Sequence, residues 1–534
     1  MYMKIYKFFV TLAIVLLFSL CQAQEISKTF GHPNNNTCNA LLATEDGGYV
    51  MLGTYDVDNL FSGEMNLLKI DSSGTLEWSY TYGEKKDKRG KKKDGAGNSG
   101  NDLITTYDNG FLLVGESHGF GSGNSDVYVV NVNSSGDTLW SSAYGGSRDD
   151  YGYAVVKGYD SNYLVAGYTE SFGAGIRDGY LLMLDEIGDT LWTLTVGGSS
   201  IDGLFDVVRT TDSCFLGLGY TLEKGNSDIF LVKVDRNGTP LWTRSYGGNK
   251  HDFGYDLKQT ADSGYIIVGN SESFGEGLQD VYVLKIDKYG DLEWSNTYGG
   301  DGYESANSVD LTKDGFIIAG HTRSFGAGWE DVYICRINTS GNIIWSSTYG
   351  DIDRDIGRVV KTTETGFIIA SNTLSFGFGN DDIYVFTIDS LGDNSCFKTT
   401  ADTKTNKVQS ESDSIKLSFI SGAITTQVTS VVGKTILARK YPCKDLNSDV
   451  ATKRNESFGF AISPNPITSN ATIEIRGLID TCAIDIIDVL GVTIKEYRGY
   501  SNHVDLSLGD LSTGVYYVVI CSGNECSTQK IIKR

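Results

Sequence analysis

Residues 314–350 read DGFIIAGHTRSFGAGWEDVYICRINTSGNIIWSSTYG, and versions of this stretch recur from near the start of the chain to about residue 398. Single columns give the period. Trp78, Trp140, Trp192, Trp242, Trp294 and Trp345 stand 62, 52, 50, 52 and 51 residues apart. A second column is Asn66, Asp126, Asp178, Asp228, Asp280, Asp331 and Asp382; a third is Tyr49, Phe111, Tyr163, Phe215, Tyr265, Phe316 and Phe367. Each unit divides into four short runs, here NSVDLT, GFIIAGH, DVYICRI and NIIWSSTY, rich in Val, Ile, Tyr and Trp and parted by Gly, Asp, Asn and Ser. Such runs are strands. The Asp-x-x-Gly between the third and fourth runs suits a hairpin in which Asp caps the turn and Gly takes the left-handed position. A four-stranded unit of about 50 residues is a β-propeller blade, and seven copies predict a seven-bladed ring. The coils of a right-handed β-helix are much shorter.

Ring closure is also legible. Gly83, Gly145, Gly197, Gly247, Gly299 and Gly350 end the fourth strands, and Gly31 lies 52 residues before Gly83. Glu25–Gly31 therefore reads as a fourth strand with no blade ahead of it, available to complete blade seven and hide the edges of an open ring. Cys396–Thr400 could fill the same slot. The propeller is assigned to residues 24–398.

Gly contributes 64 of 534 residues, about 12 per cent against a usual 7, with ordinary charge content. That fits an all-β chain with many turns. Residues 1–23 have the form of a secretory signal: Lys4 and Lys7, the apolar run FFVTLAIVLLFSL, then small residues before Gln24. A lipid attached at Cys21 is the alternative, which Leu20 fits poorly. No later run is long enough to span a bilayer. Removing the signal takes formal charge from -22 to -24, an acidic balance that argues against nucleic acid. Eight cysteines then remain. Cys521 with Cys526, and Cys396 with Cys443, could pair in an oxidising compartment, and Cys214 and Cys335 fall at buried strand positions.

Residues 84–100 interrupt the period with seven basic residues, read as a solvated loop that could instead grip an anionic polysaccharide. Residues 399–457 read as a polar linker with a small β-hairpin annex. Residues 458–534 return to short alternating strands, expected to form a small β-sandwich. Here Pro464-Asn465-Pro466, then Asp488 and Gly491, then Gly514-Val515-Tyr516, and finally Lys530 occur in order. On these residues the module resembles the type A C-terminal sorting domain of the type IX secretion system. The resemblance covers about 75 residues; Cys482, Cys521 and Cys526 depart from the usual pattern. It implies export, recognition by the outer-membrane translocon, and a product released or attached to the outer-membrane surface. The repeats resemble the Gly- and Asp-rich propeller arrays of such exported proteins, a likeness that implies no activity.

For chemistry, the repeated Ser-Phe-Gly-x-Gly loops each lead to an aspartate, such as Asp280, Asp331 or Asp382. Carboxylates and carbonyls there could hold calcium, which takes six to eight oxygens. Repetition in nearly every blade instead favours a turn-building role, and no cofactor is expected. Trp329 lies outside the tryptophan column, in a loop, where it could stack on a sugar. Asp280, Asp331, Asp382 and Trp329 are thus the candidate ligand face. The five histidines are scattered, without a nucleophile elbow or metal-binding helix. The expectation is a secreted, monomeric, non-enzymatic propeller that binds protein or glycan. The alternatives are an extracellular polysaccharide hydrolase or lyase, and a passive structural array.

Overall fold

The computed structural model describes residues 26–440 and 459–533, except 33, 57–62, 84–96, 223–224, 378, 395–397 and short stretches beyond residue 400. The signal-like segment, most of the basic insertion, Cys396, Cys443, Pro464–Pro466 and Gly491 lie outside the described residues. The chain divides into two units, Met1–Asp445 and Leu446–Arg534.

The first unit is a ring of seven antiparallel blades. Blade one is Asn36–Ala43, Tyr49–Asp56, Gly63–Ile70 and Leu76–Gly83. Each repeat then adds a blade, up to Asp355–Thr362, Gly366–Thr373 and Asp382–Asp389 in blade seven. The fourth strand of blade seven is Ser27–Gly31, which pairs with Asp382–Asp389 in the register Phe30 to Ile383. Closure by the N-terminal strand is the arrangement found. The alternative segment, Lys398–Thr400, pairs with Ile343–Tyr349 of blade six instead.

The apolar columns account for the ring. Both faces of a blade are covered by its neighbours, so middle strands such as Asp126–Val132 are buried along their whole length. Seven separate apolar clusters form, one at each blade junction. The tryptophan column bridges junctions too. Gly188, in the hairpin after the third strand of blade three, has φ +88°, and a Cβ there would sit 2.9 Å from the Trp140 ring of blade two. Tyr144 seals the same contact by donating to the Gly188 carbonyl at 2.6 Å. Asp185 Oδ1 accepts from the Ile187 and Asp189 amides, which is the capped Asp-x-x-Gly hairpin expected.

Residues 398–440 depart from expectation. They are not a linker with a hairpin annex but a belt of seven short strands, each adding a fifth strand to one blade. Lys398–Thr400 joins blade six and Lys404–Val408 blade five. Glu411–Asp413, Ser418–Ile420, Ile424–Val428 and Val431–Val432 follow on blades four, three, two and one, and Leu437–Lys440 ends on the closing strand of blade seven. The chain runs back round the ring against the order of its synthesis. Sheet twist makes this possible. Neighbouring strands rotate by about 20–25°, so three steps turn the fourth strand by about 60–75° from the axial first strand. The rim strands then lie along the circumference, and a passing chain can pair with each in turn without reversing. Each of these strands is only two to five residues long and is held by backbone pairing to its blade, too short for a periodic pattern to show in the sequence.

The second unit contains two antiparallel sheets of three and four strands. Ile473 and Leu506 of the first share one buried cluster with Ile484, Ile486, Val518, Ile520 and Ile531 of the second. Gly514 opens the long strand Gly514–Ser522, the buried Tyr516 hydroxyl donates to the Ser512 carbonyl at 3.0 Å, and Asp488 lies opposite Tyr516 in the ladder. Lys530 lies opposite Tyr517 in the closing strand, and Cys521 opposite Cys526. Cys38, Cys214 and Cys335 are buried free thiols.

Candidate functional site

In every blade the first strand breaks register with the second, and the break always skips one residue. Blade by blade that residue is Asn39, Asn101, Tyr153, Phe205, Tyr255, Asn307 and Arg358. A β-bulge re-aims the side chain it carries. Because first strands line the axis of a propeller, the seven bulged residues ring the mouth of the axial channel, on the face that also carries the Ser-Phe-Gly loops.

Three of the seven do structural work. Asn39, Asn101 and Asn307 each donate from Nδ2 to a carbonyl of the next blade, of Gly100, Gly152 and Gly357, all at 2.8 Å. The other four depart from this pattern. The rings of Tyr153 and Phe205 meet with centroids 5.4 Å apart, and those of Phe205 and Tyr255 at 5.5 Å. Tyr151 and Tyr168 stack at 4.7 Å, Phe205 and Tyr220 at 5.2 Å, and Phe253 and Tyr255 at 6.1 Å. Arg177 lies over the Tyr168 ring at 3.9 Å, held by Glu170 at 2.9 Å. An aromatic ledge thus covers blades three to five, with Tyr153, Phe205 and Tyr255 part-exposed. Aromatic ledges with a few polar groups are common linings of ligand sites.

Blade seven, across the ring from blades three and four, supplies Arg358. Its neighbours are already committed: Arg354 pairs with both oxygens of Asp381 at 2.7 and 2.6 Å, and Arg323 with Glu330. Arg358 Nε is buried and has no hydrogen-bond partner among the described residues, and the same is true of Nδ1 of His321 in blade six. Burial pushes the His321 imidazole down to about 4, with Arg358 and Arg323 adding to it against Glu330. Burial also lowers the Arg358 guanidinium. Deeper in the channel, Asp206 and Asp256 flank Lys258. Burial, with Asp256 beside it, raises the Asp206 carboxyl.

The residues picked out from sequence sit elsewhere. Trp329 is 80 per cent exposed in the blade-six loop, whereas Asp280, Asp331 and Asp382 are buried, one per blade. Asp331 Oδ2 accepts from the Gly328 amide and Asp280 Oδ2 from the Gly277 amide, both at 3.0 Å. Each carboxylate also faces an acidic or amide side chain from the next blade across a fourth-strand glycine, as with Asp126 and Asp150 at Gly145. Burial raises Asp126, Asp280 and Asp355 to about 6. One oxygen of Asp126, Asp178, Asp280 and Asp331 is thus engaged by a backbone N–H of its own loop. Among the described residues no group of three or more acidic, His or Cys side chains converges for a metal.

The bulged column was visible in the sequence, as CNA, GND, GYA, LFD, GYD, ANS and GRV down the aligned first strands.

Together these features define a class: a closed, belted seven-bladed propeller with an asymmetric axial mouth, followed by a separate β module. Residues 461–534 match the family described as "Secretion system C-terminal sorting domain". The module is that sorting domain, of the type IX secretion system, so the protein is a partner of that machinery and is exported to the cell surface or beyond. No curated protein matches the chain. Among solved structures, the extracellular domain of the one-component system BT4673 from B. thetaiotaomicron is 10 per cent identical at TM-score 0.36, over 96 per cent of this chain. This chain spans only 59 per cent of that one. Sqt1 from Chaetomium thermophilum is 12 per cent identical at TM-score 0.40, over 69 per cent of this chain and 98 per cent of that one. PorZ, a surface component of the type IX secretion system of Porphyromonas gingivalis, is 10 per cent identical at TM-score 0.31, over 94 and 82 per cent. Scores of this size support no transfer of function. Among the described residues no helix is long and apolar enough to cross a membrane.

Proposed function

We propose that the protein is a non-enzymatic, surface-displayed or released binding module that takes a glycan at the axial mouth. The single observation that supports it is the bulged column. Three blades keep the asparagine that fastens one blade to the next, and three consecutive blades replace it with touching, part-exposed rings. A passive array has no reason to replace a repeated fastening with touching rings in three consecutive blades. Tyr and Phe offer flat apolar faces that suit sugar rings, and Tyr adds a hydroxyl. Trp329, exposed on the same face, extends the contact outward.

The test is a glycan array and a polysaccharide-degradation screen on the mature chain, beside Phe205→Asn and Trp329→Ala. Selective binding that Phe205→Asn weakens at least tenfold, with no shortened product, is expected. Release of shortened sugars would replace this reading with the hydrolase or lyase one.

A further inference from the structure

The mouth has two unlike sides. Blades three to five give the aromatic ledge. Blades six and seven give two buried side-chain nitrogens, Arg358 Nε and His321 Nδ1, with no hydrogen-bond partner among the described residues. Buried polar groups are nearly always satisfied, and one left open in a native protein calls for an explanation such as an ion or ligand. The surrounding charges sharpen the point. Both oxygens of Asp381 accept from Arg354 Nη2, and Glu330 accepts from Arg323, so neither carboxylate is spent on Arg358. Asp381 and Glu330 act on Arg358 only as more distant charges. The guanidinium is a planar fork made for a carboxylate or sulfate. In blade seven it occupies the position at which blade six uses Asn307 to fasten its neighbour, so blade seven gives up that fastening for a cation.

Resting on the reading of the mouth as a glycan site, we infer that the ligand is an acidic saccharide, one of whose sugars lies on the Tyr153–Phe205–Tyr255 ledge while a carboxylate or sulfate is held by Arg358 and His321 on the opposite rim. His321 is the neutral partner, with a ring nitrogen that can carry the N–H. The chain carries formal charge -22, so its general field repels polyanions and offers no non-specific route to binding them.

The experiment uses the full mature chain and matched polymers: polygalacturonate against its carboxyl-reduced form, and chondroitin sulfate against its desulfated form. The first pair reports a carboxylate and the second a sulfate. Binding of at least one acidic polymer ten times or more tighter than its neutral counterpart is expected, as is loss of that preference in Arg358→Gln with part kept in Arg358→Lys. A melt followed by circular dichroism checks the folding of both variants. The comparison of polymers on the unaltered chain does not depend on either. Equal binding of acidic and neutral polymers, still weakened by Phe205→Asn, would overturn the anionic class and leave the mouth as a glycan site. Binding that neither Phe205→Asn nor Arg358→Gln alters would overturn both. Polyglutamate bound as tightly as polygalacturonate would overturn the saccharide in favour of an acidic protein.

Discussion

Asn101 and Tyr153 hold the same bulged position one repeat apart, and they do different things: Asn101 donates to the Gly152 carbonyl at 2.8 Å, while the Tyr153 ring lies against Phe205 at 5.4 Å. One column therefore mixes fastening residues with ledge residues, and substitution separates them. Asn101 also donates to the buried Glu116 carboxylate at 2.8 Å. Asn101→Ala should cost about 1–3 kcal/mol of stability, since it strands a carbonyl and a carboxylate, and leave ligand affinity within a factor of two or so. Phe205→Asn forfeits ring contacts of about 0.5–1.5 kcal/mol each and should lower affinity at least tenfold. Melting curves and titrations on both variants decide it. Equal affinity losses would deny the division.

The ring was legible because its signal repeats. Columns of six Trp, six Asp with Asn66, and seven Gly leave little freedom, and the orphan strand ending at Gly31 announced its own partner. The belt was not legible. Its strands are two to five residues long, rich in Thr, Ser and Lys, and draw their order from rim strands more than two hundred residues away in blades one to three. The ledge was missed for the opposite reason. The aspartate loops repeat so strongly that they drew the eye, yet Asp280, Asp331 and Asp382 are buried turn builders, whereas Phe205 and Arg358 stand out only as exceptions within a quiet column.

Two glycines with nearly the same backbone separate strain from packing. Gly188 has φ +88° beneath the Trp140 ring, and Gly225 has φ +90° with nothing within 4 Å of a Cβ. Gly225→Ala should cost only the left-handed backbone, about 1–2 kcal/mol. Gly188→Ala adds the displacement of Trp140, with overpacking worth about 1–3 kcal/mol more, and disturbs the Tyr144 bond to the Gly188 carbonyl. Denaturant melts should rank Gly188→Ala clearly below Gly225→Ala. A tie would mean that the tryptophan column does not bind blade to blade.

Carboxyls at the blade junctions set a pH dependence. Asp126, Asp280 and Asp355 lie at about 6 in the folded chain, raised chiefly by burial, against about 3.9 when unfolded. The folded state therefore holds more protons than the unfolded one between about pH 4 and 6, and stability falls as pH rises through that window. Asp262 works the other way: Thr260 and Lys285 hold it at about 2, so its contribution fades only below pH 4. Maximum stability should lie near pH 4–5, with a loss of about 1–2 kcal/mol per raised carboxyl by pH 7. Asp280→Asn should flatten the slope, and the fold already tolerates an amide at a junction, where Asn36 donates to Asp382 at 3.0 Å. Melts from pH 4.5 to 7.5 on both proteins provide the check; parallel curves would rule the junction out as the source.

The belt predicts its own removal. Without residues 398–440, seven rim strands would expose rows of unpaired N–H and C=O, the edge that natural sheets take care to cover. Among the described residues the seven blade-junction clusters draw only Ala401 from the belt, so the ring itself should still form. A chain ending at residue 397 should therefore keep its β circular-dichroism spectrum yet associate with itself, while a chain ending at 445 stays monomeric. Lys404 offers a milder cut: it bridges Glu276 at 2.7 Å and Asp301 at 3.3 Å, an exposed pairing that water and salt screen strongly, so Lys404→Ala should loosen blade five's fifth strand without aggregation. Hydrogen exchange at Leu292–Gly299 reads that loosening, and light scattering reads the truncation. A chain ending at 397 that remained monomeric would show that the rim of this ring needs no cover.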